Sequence, residues 1–311
     1  MPEATLHDGA TIEVEVHGDG PALLLPVDPK PVEGPRADEM RRWGADPALG
    51  RSLIDGLSDA FRVVAFDYEK HVLATPKPGT LTPANIAADL LAVADAVGAD
   101  RFAYYGYSWL ALSGLQLAIR TGRLSALVMG GYPPLGGPYA QMLAVTMAAH
   151  ARSIAREAGP VEPTTPASTT ASTPASTTGP GATEGSGWDE PDWSSAEVTT
   201  TPDQTRQFVT LYEALRGFDD RAAQAAVGCP RLCFAGSADQ IVYDERWGGV
   251  TVDIGGPLVR RRAELEALGW DVRVLDGLDH MGAMRSATVL PVLRPWLTAR
   301  LLPSGGRQGQ M

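Results

Sequence analysis

Ser108, Asp239 and His280 are the residues of this chain whose types and order could carry nucleophilic acyl chemistry. A serine hydroxyl is a poor nucleophile until an imidazole accepts its proton. That imidazole needs a carboxylate to fix its tautomer and stabilise its charged form. Taken singly, each has an ordinary alternative: Ser108 as a helix N-cap, Asp239 as a turn residue, His280 as a loop histidine. Their surroundings argue otherwise. Tyr105-Gly106-Tyr107-Ser108-Trp109-Leu110-Ala111 follows an apolar stretch at 102–105 and precedes an apolar helical stretch at 112–120, so Ser108 falls at a strand-to-helix junction. The Trp109 amide then lies at a helix N-terminus, where an unpaired donor and the helix dipole stabilise developing negative charge. Phe234-Ala235-Gly236-Ser237-Ala238-Asp239 puts the acid just past a buried strand. Leu275-Asp276-Gly277-Leu278-Asp279-His280-Met281 puts the histidine in a loop before the last helix.

The elements that must position these residues are legible as short apolar runs separated by amphipathic stretches. Residues 62–66 (RVVAF), 102–105 (FAYY), 124–129 (LSALVM), 231–235 (RLCFA) and 272–275 (VRVL) read as buried parallel strands. Residues 11–17 (TIEVEVH) alternate, Gly18-Asp19-Gly20 makes a turn, and 22–25 is continuously apolar, which predicts an antiparallel hairpin feeding a buried strand. Thr82-Pro83 supplies an N-cap and first-turn proline for a helix through Ala96, with Ile86, Leu90, Leu91 and Val93 facing inward. The fold class is therefore α/β: a mostly parallel sheet with an antiparallel N-terminal hairpin and helices on both faces.

After Met129 about 100 residues pass before the next strand, far more than a connecting loop needs. A helix at 141–157, and a second with Phe208, Leu211, Tyr212 and Leu215 on one face behind Thr201-Pro202-Asp203-Gln204, predict an inserted helical cap. The expected division is a core of 1–132 and 229–311 with a cap of 133–228. Within the cap, 162–187 contains no Leu, Ile, Val or aromatic residue, so ordering it would cost entropy with no burial to offset it, and a disordered loop is expected.

Gly106-Tyr107-Ser108-Trp109-Leu110 resembles the nucleophile elbow G-x-S-x-G of the α/β-hydrolase superfamily, in its serine-nucleophile, cap-bearing form, with Leu110 in place of the last glycine. The resemblance covers nearly the whole chain, including the leading hairpin, Asp67 after a strand, a cap after the sixth family strand, and the acid and histidine loops. It implies Ser108 as nucleophile, Asp239 as acid and His280 as base. Relatives carry His-Gly after the third family strand, where this chain has Pro26-Val27-Asp28-Pro29. Alignment gives the Asp28 amide as the second oxyanion donor beside Trp109, with Val27 as the fallback. A carboxylate there would oppose the charge to be stabilised, so either Asp28 points away or it takes part in different chemistry.

Cleavage of an ester-like bond (carboxylic ester, thioester or lactone) through an acyl-enzyme on Ser108 is the activity the resemblance implies. The same triad on this fold also serves lyases, cyclases, C–C hydrolases and acyl transferases, and a non-catalytic ligand-binding protein is the reading from another class. Val27, Tyr107, Tyr132, Met142 and Met281 are the candidate substrate contacts, and they suggest a small apolar or aromatic substrate. These residues call for no cofactor and no metal.

A net charge of −11 without a basic cluster disfavours nucleic acid as a partner, leaving a small molecule. The 44% hydrophobic and 20% charged fractions are those of a globular chain with a sizeable core. No apolar run reaches the roughly 20 residues of a membrane span, and the N-terminus lacks a basic region followed by an apolar one, so a cytoplasmic location is expected. Cys229 and Cys233 stand four residues apart at the entry to an extended strand, which holds their sulfurs too far apart to pair, and they are expected to be reduced. The oligomeric state stays open.

Overall fold

The computed structural model describes residues 2–158 and 200–302. The chain starts with an antiparallel hairpin of β1 (Glu3–Thr5) and β2 (Thr11–Glu13), followed by β3 (Glu15–His17) and β4 (Ala22–Leu25). The N-terminal hairpin therefore sits one strand earlier than the sequence pattern suggested. β3 and β4 do not pair; they flank β5 (Arg62–Ala65), β3 antiparallel and β4 parallel to it. The turn at 18–20 crosses over the start of β5. A Cβ on Gly18 would fall 1.9 Å from the Ser58 carbonyl oxygen and one on Gly20 2.7 Å from that of Ala60, so only glycine permits the crossing.

Helices α1 (Gly34–Arg42) and α2 (Leu49–Leu57) lie between β4 and β5, and α3 (Tyr68–Ala74) and α4 (Pro83–Ala96) follow β5. Thr82 accepts the Asn85 N–H at 3.2 Å, with Pro83 in the first turn, as the sequence predicts. Next come β6 (Phe102–Tyr107), α5 (Trp109–Ala118) and β7 (Leu124–Gly130). The inserted cap contributes α6 (Tyr139–Glu157), α7 (Pro202–Glu213) and α8 (Asp220–Ala223). α7 starts with the reciprocal capping box of Thr201 and Gln204. The segment expected to be disordered, 162–187, lies outside the described residues.

The chain returns to the sheet with β8 (Arg231–Gly236), then forms a small antiparallel pair, β9 (Gln240–Val242) and β10 (Thr251–Asp253). Helices α9 (Gly255–Arg260) and α10 (Arg262–Ala267), strand β11 (Trp270–Leu275), and helices α11 (His280–Met284) and α12 (Ser286–Leu301) complete it. The central sheet runs β11-β8-β7-β6-β4-β5-β3, parallel throughout except for β3 at the edge.

Both faces of this sheet are buried, which explains why its strands read as continuous apolar runs. Leu24, Phe102 and Tyr104 face one core with α4 and α5, whereas Leu23, Leu25, Ala103 and Tyr105 face the other with α2 and α12. Removing each such leucine from water stabilises the fold by roughly 1.5–3 kcal/mol. A polar network ties the cap to this frame. Buried Lys77 pairs with Asp8 and its backbone N–H donates to Gln207 Oε1 of α7 at 3.1 Å; buried Asp89 accepts from the Tyr68 hydroxyl at 2.7 Å and the His7 backbone N–H at 2.7 Å. Among the described residues no helix is long and apolar enough to cross a membrane, and both cysteines are free.

Candidate active site

The turn from β6 into α5 forces Ser108 into φ 57°, ψ −129°, and Ser108 is the only non-glycine residue with positive φ among the described residues. Such a conformation costs on the order of 1–3 kcal/mol and persists only where neighbours impose it. Here the Ser108 N–H donates to the Gly130 carbonyl at 2.8 Å, while its own carbonyl accepts from Ala111 at 2.9 Å and Leu112 at 3.2 Å. The hydroxyl makes no capping hydrogen bond, so the ordinary N-cap role does not describe this serine.

Crowding in the turn is relieved at Gly106. A Cβ there would fall 2.4 Å from the Leu110 carbonyl oxygen, whereas the Leu110 side chain packs into the core and its carbonyl accepts the Tyr104 hydroxyl at 2.8 Å. Leucine at the usual last glycine is thereby accommodated. Gly106→Ala is expected to destabilise the protein by about 1–3 kcal/mol through overpacking of backbone on backbone. A urea-unfolding midpoint equal to that of the parent would refute this account of the junction.

Asp239, fully buried at 1% exposure, follows β8, and its carboxylate meets His280 Nδ1 at 3.0 and 3.1 Å. The loops that carry the pair are laced together. Ser237 N–H donates to Leu275 O at 2.8 Å, Ala238 N–H to Leu278 O at 3.0 Å, and Gly277 N–H to Ser237 Oγ at 2.8 Å. Ile254 and Gly255 amides hold the Asp239 carbonyl at 3.0 and 2.8 Å. With Nδ1 committed to the carboxylate, His280 has Nε2 left for a second partner. Ser108 and His280 share the walls of two cavities, with no hydrogen bond between them among the described residues.

Of the two amides expected at the oxyanion position, Val27 N–H is already spent on the Leu25 carbonyl at 2.9 Å, whereas the Asp28 amide has no backbone partner among the described residues. The Asp28 carboxylate is engaged on its own side of the loop: Oδ1 accepts the Lys30 main-chain N–H at 2.9 Å and Oδ2 lies 3.8 Å from Lys70 Nζ. Trp109 is the first residue of α5, and its N–H has no intrahelical acceptor.

The larger cavity, about 500 Å³, includes Val27, Asp28, Tyr107 and Met281; the smaller, about 270 Å³ beneath the cap, includes Tyr132 and Met142. All five candidate substrate contacts therefore line one or the other. Sequence reasoning missed Met40 and Met284 in the first, and Phe208, Ile241, Tyr243 and Val252 in the second. Ile241 and Val252 come from β9 and β10 and Tyr243 from the connection between them; the signal was the β-branched and aromatic run Ile241-Val242-Tyr243 before Gly248-Gly249. It also missed Glu69, which borders the larger cavity. Burial among protein atoms, then the charge of Asp67, pushes the Glu69 pKa up. Asp67 is raised as well, chiefly by burial and further by Asp28, against its hydrogen bond from the Lys70 N–H.

No family model matches the sequence, and no curated protein does. Among solved structures, the enol-lactonase from Burkholderia xenovorans LB400 aligns over 96% of this chain and 100% of its own at TM-score 0.54 and 16% identity. A thermophilic esterase from Thermogutta terrifontis aligns over 96% and 98% at TM-score 0.54 and 16% identity. AqDC, studied for recognition and ring-cleavage of the Pseudomonas quinolone signal, aligns over 94% and 100% at TM-score 0.57 and 15% identity. The chain has the α/β-hydrolase fold.

Proposed function

We propose that this protein is a serine hydrolase that cleaves an ester-like bond of a small apolar or aromatic substrate through an acyl-enzyme on Ser108, with Asp239 and His280 completing the triad. One observation carries the reading: the single strained non-glycine residue described is a serine whose hydroxyl caps nothing, and it borders the same cavities as a histidine paired to a buried aspartate. Esterase and lactonase neighbours on the same fold support it, as analogy. The division into a core of 1–132 and 229–311 and a cap of 133–228 belongs to the same proposal.

In this mechanism Ser108 Oγ forms a bond to the carbonyl carbon as its proton passes to His280 Nε2. The resulting oxyanion is held by the Trp109 and Asp28 amides. Collapse breaks the bond to the leaving oxygen or sulfur, which takes the proton from His280. A water molecule then repeats the sequence on the acyl-enzyme, giving the acid and free Ser108. The aromatic and methionine side chains of the cap chamber fit an apolar substituent.

Exposure to a fluorophosphonate followed by peptide mass spectrometry tests the reading, with one adduct expected on Ser108. Turnover of 4-nitrophenyl butyrate should accompany it. An unlabelled Ser108 in folded protein would overturn the proposal. Asp28→Asn keeps the donating amide and should change kcat/KM by no more than about threefold, because the carboxylate is already engaged by the Lys30 main-chain N–H and the Lys70 ammonium. A loss of about a hundredfold would instead make that carboxylate a proton-transfer group.

A further inference from the structure

Tyr107, the residue before Ser108, commits its hydroxyl to the histidine loop. Its O–H donates to the His280 carbonyl at 2.7 Å, and its ring centroid lies 5.0 Å from the imidazole at an interplanar angle of 55°. The end of β7 is shaped around this ring. A Cβ on Gly130 would fall 2.6 Å from Tyr107 Cδ2, and one on Gly131, where φ is 61°, would fall 2.5 Å from Cε1 and Cζ. On another side Phe234 of β8 packs with centroids 6.1 Å apart, and the tyrosine is only 8% exposed. The ring is thus seated between two strands and the imidazole.

Asp239 fixes the Nδ1 end of His280, but one contact at a ring edge does not fix the distance from the imidazole to a residue on another loop. The main chain at position 280 starts α11, a helix of five residues. We propose that Tyr107 is a positioning residue: its hydrogen bond pins the His280 backbone to the strand end that carries Ser108, so that one rigid segment sets the serine–histidine separation. The inference rests on the triad reading above. Proton transfer between the two is steep in distance, and a misplacement of about 1 Å costs on the order of a hundredfold in rate. The same contact takes the Tyr107 hydroxyl away from substrate, although the residue lines the larger cavity.

Tyr107→Phe keeps the ring and removes the donor. With 4-nitrophenyl butyrate as substrate, kcat is expected to fall about 10- to 100-fold with KM within about twofold, since the loss acts on geometry and not on binding. Placing 4-aminophenylalanine at position 107, which keeps a donor on the ring, should recover most of that loss. A cycle with His280→Ala separates positioning from general support: once the imidazole is gone, Tyr107→Phe should cost nothing further. Wild-type kcat in Tyr107→Phe, equal losses in both backgrounds, or no recovery with the amino analogue would each overturn the proposal. Wild-type turnover in His280→Ala alone would strike at the triad reading and remove this inference with it.

Discussion

Replacing either Ser108 or His280 with alanine is expected to lower kcat by about 10⁴-fold or more, because in the proposed mechanism the two act as one proton-transfer unit and neither would retain partial function without the other. Folding should survive. Ser108→Ala leaves the main-chain hydrogen bonds to Gly130, Ala111 and Leu112 in place and removes a hydroxyl that caps nothing. His280 sits at the cavity wall with a side chain 14% exposed, and its loop is held by backbone bonds through Leu275 and Leu278. The check is kcat for each variant alongside its thermal unfolding midpoint, and for the double variant, whose loss should be no greater than that of either single one. Full activity in folded Ser108→Ala would remove the nucleophile.

Asp239→Asn should cost about 10³- to 10⁴-fold in kcat while leaving KM nearly unchanged. The carboxylate sits 3.0 Å from Nδ1; in the proposed mechanism it holds the proton on that nitrogen and frees Nε2 to act as base. An amide of the same shape can present its NH₂ group to Nδ1, selecting the opposite tautomer and offering no stabilisation to the imidazolium. Asp239 is fully buried, and solvent cannot substitute for the lost charge. A loss of less than about tenfold would reassign the acid to another residue.

Most of the frame was legible because its strands are buried on both faces. The apolar runs at 22–25, 62–66 and 124–129 coincide with β4, β5 and β7 to within a residue, and the Thr82 and Thr201 caps mark two helix starts at the positions they occupy. The pairing of β3 was not legible. Alternation tells which residues face inward but not which strand lies alongside, and the crossing over β5 is recorded only in close approaches at Gly18 and Gly20. Asp89 escaped notice for a similar reason: a carboxylate on an apolar helix face reads as solvated until His7 and Tyr68, 82 and 21 residues away in sequence, are seen to close around it. At the site, the elbow and both loops were readable from local pattern. The contacts among them, Tyr107 to His280 above all, depend on tertiary structure that no local spacing encodes.

The two cavities have Ser108, Trp109 and His280 in common and no other lining residue among those described. On the proposed function, a bond placed at that shared boundary would divide the substrate into two halves held by separate sets of side chains. The half beneath the cap meets side chains from α6, α7 and the β9–β10 pair, and the other meets the loops after β4 and β5 and the start of α11. Changes in the inserted helices would then alter one chamber while Ser108, His280 and the walls of the other keep their places.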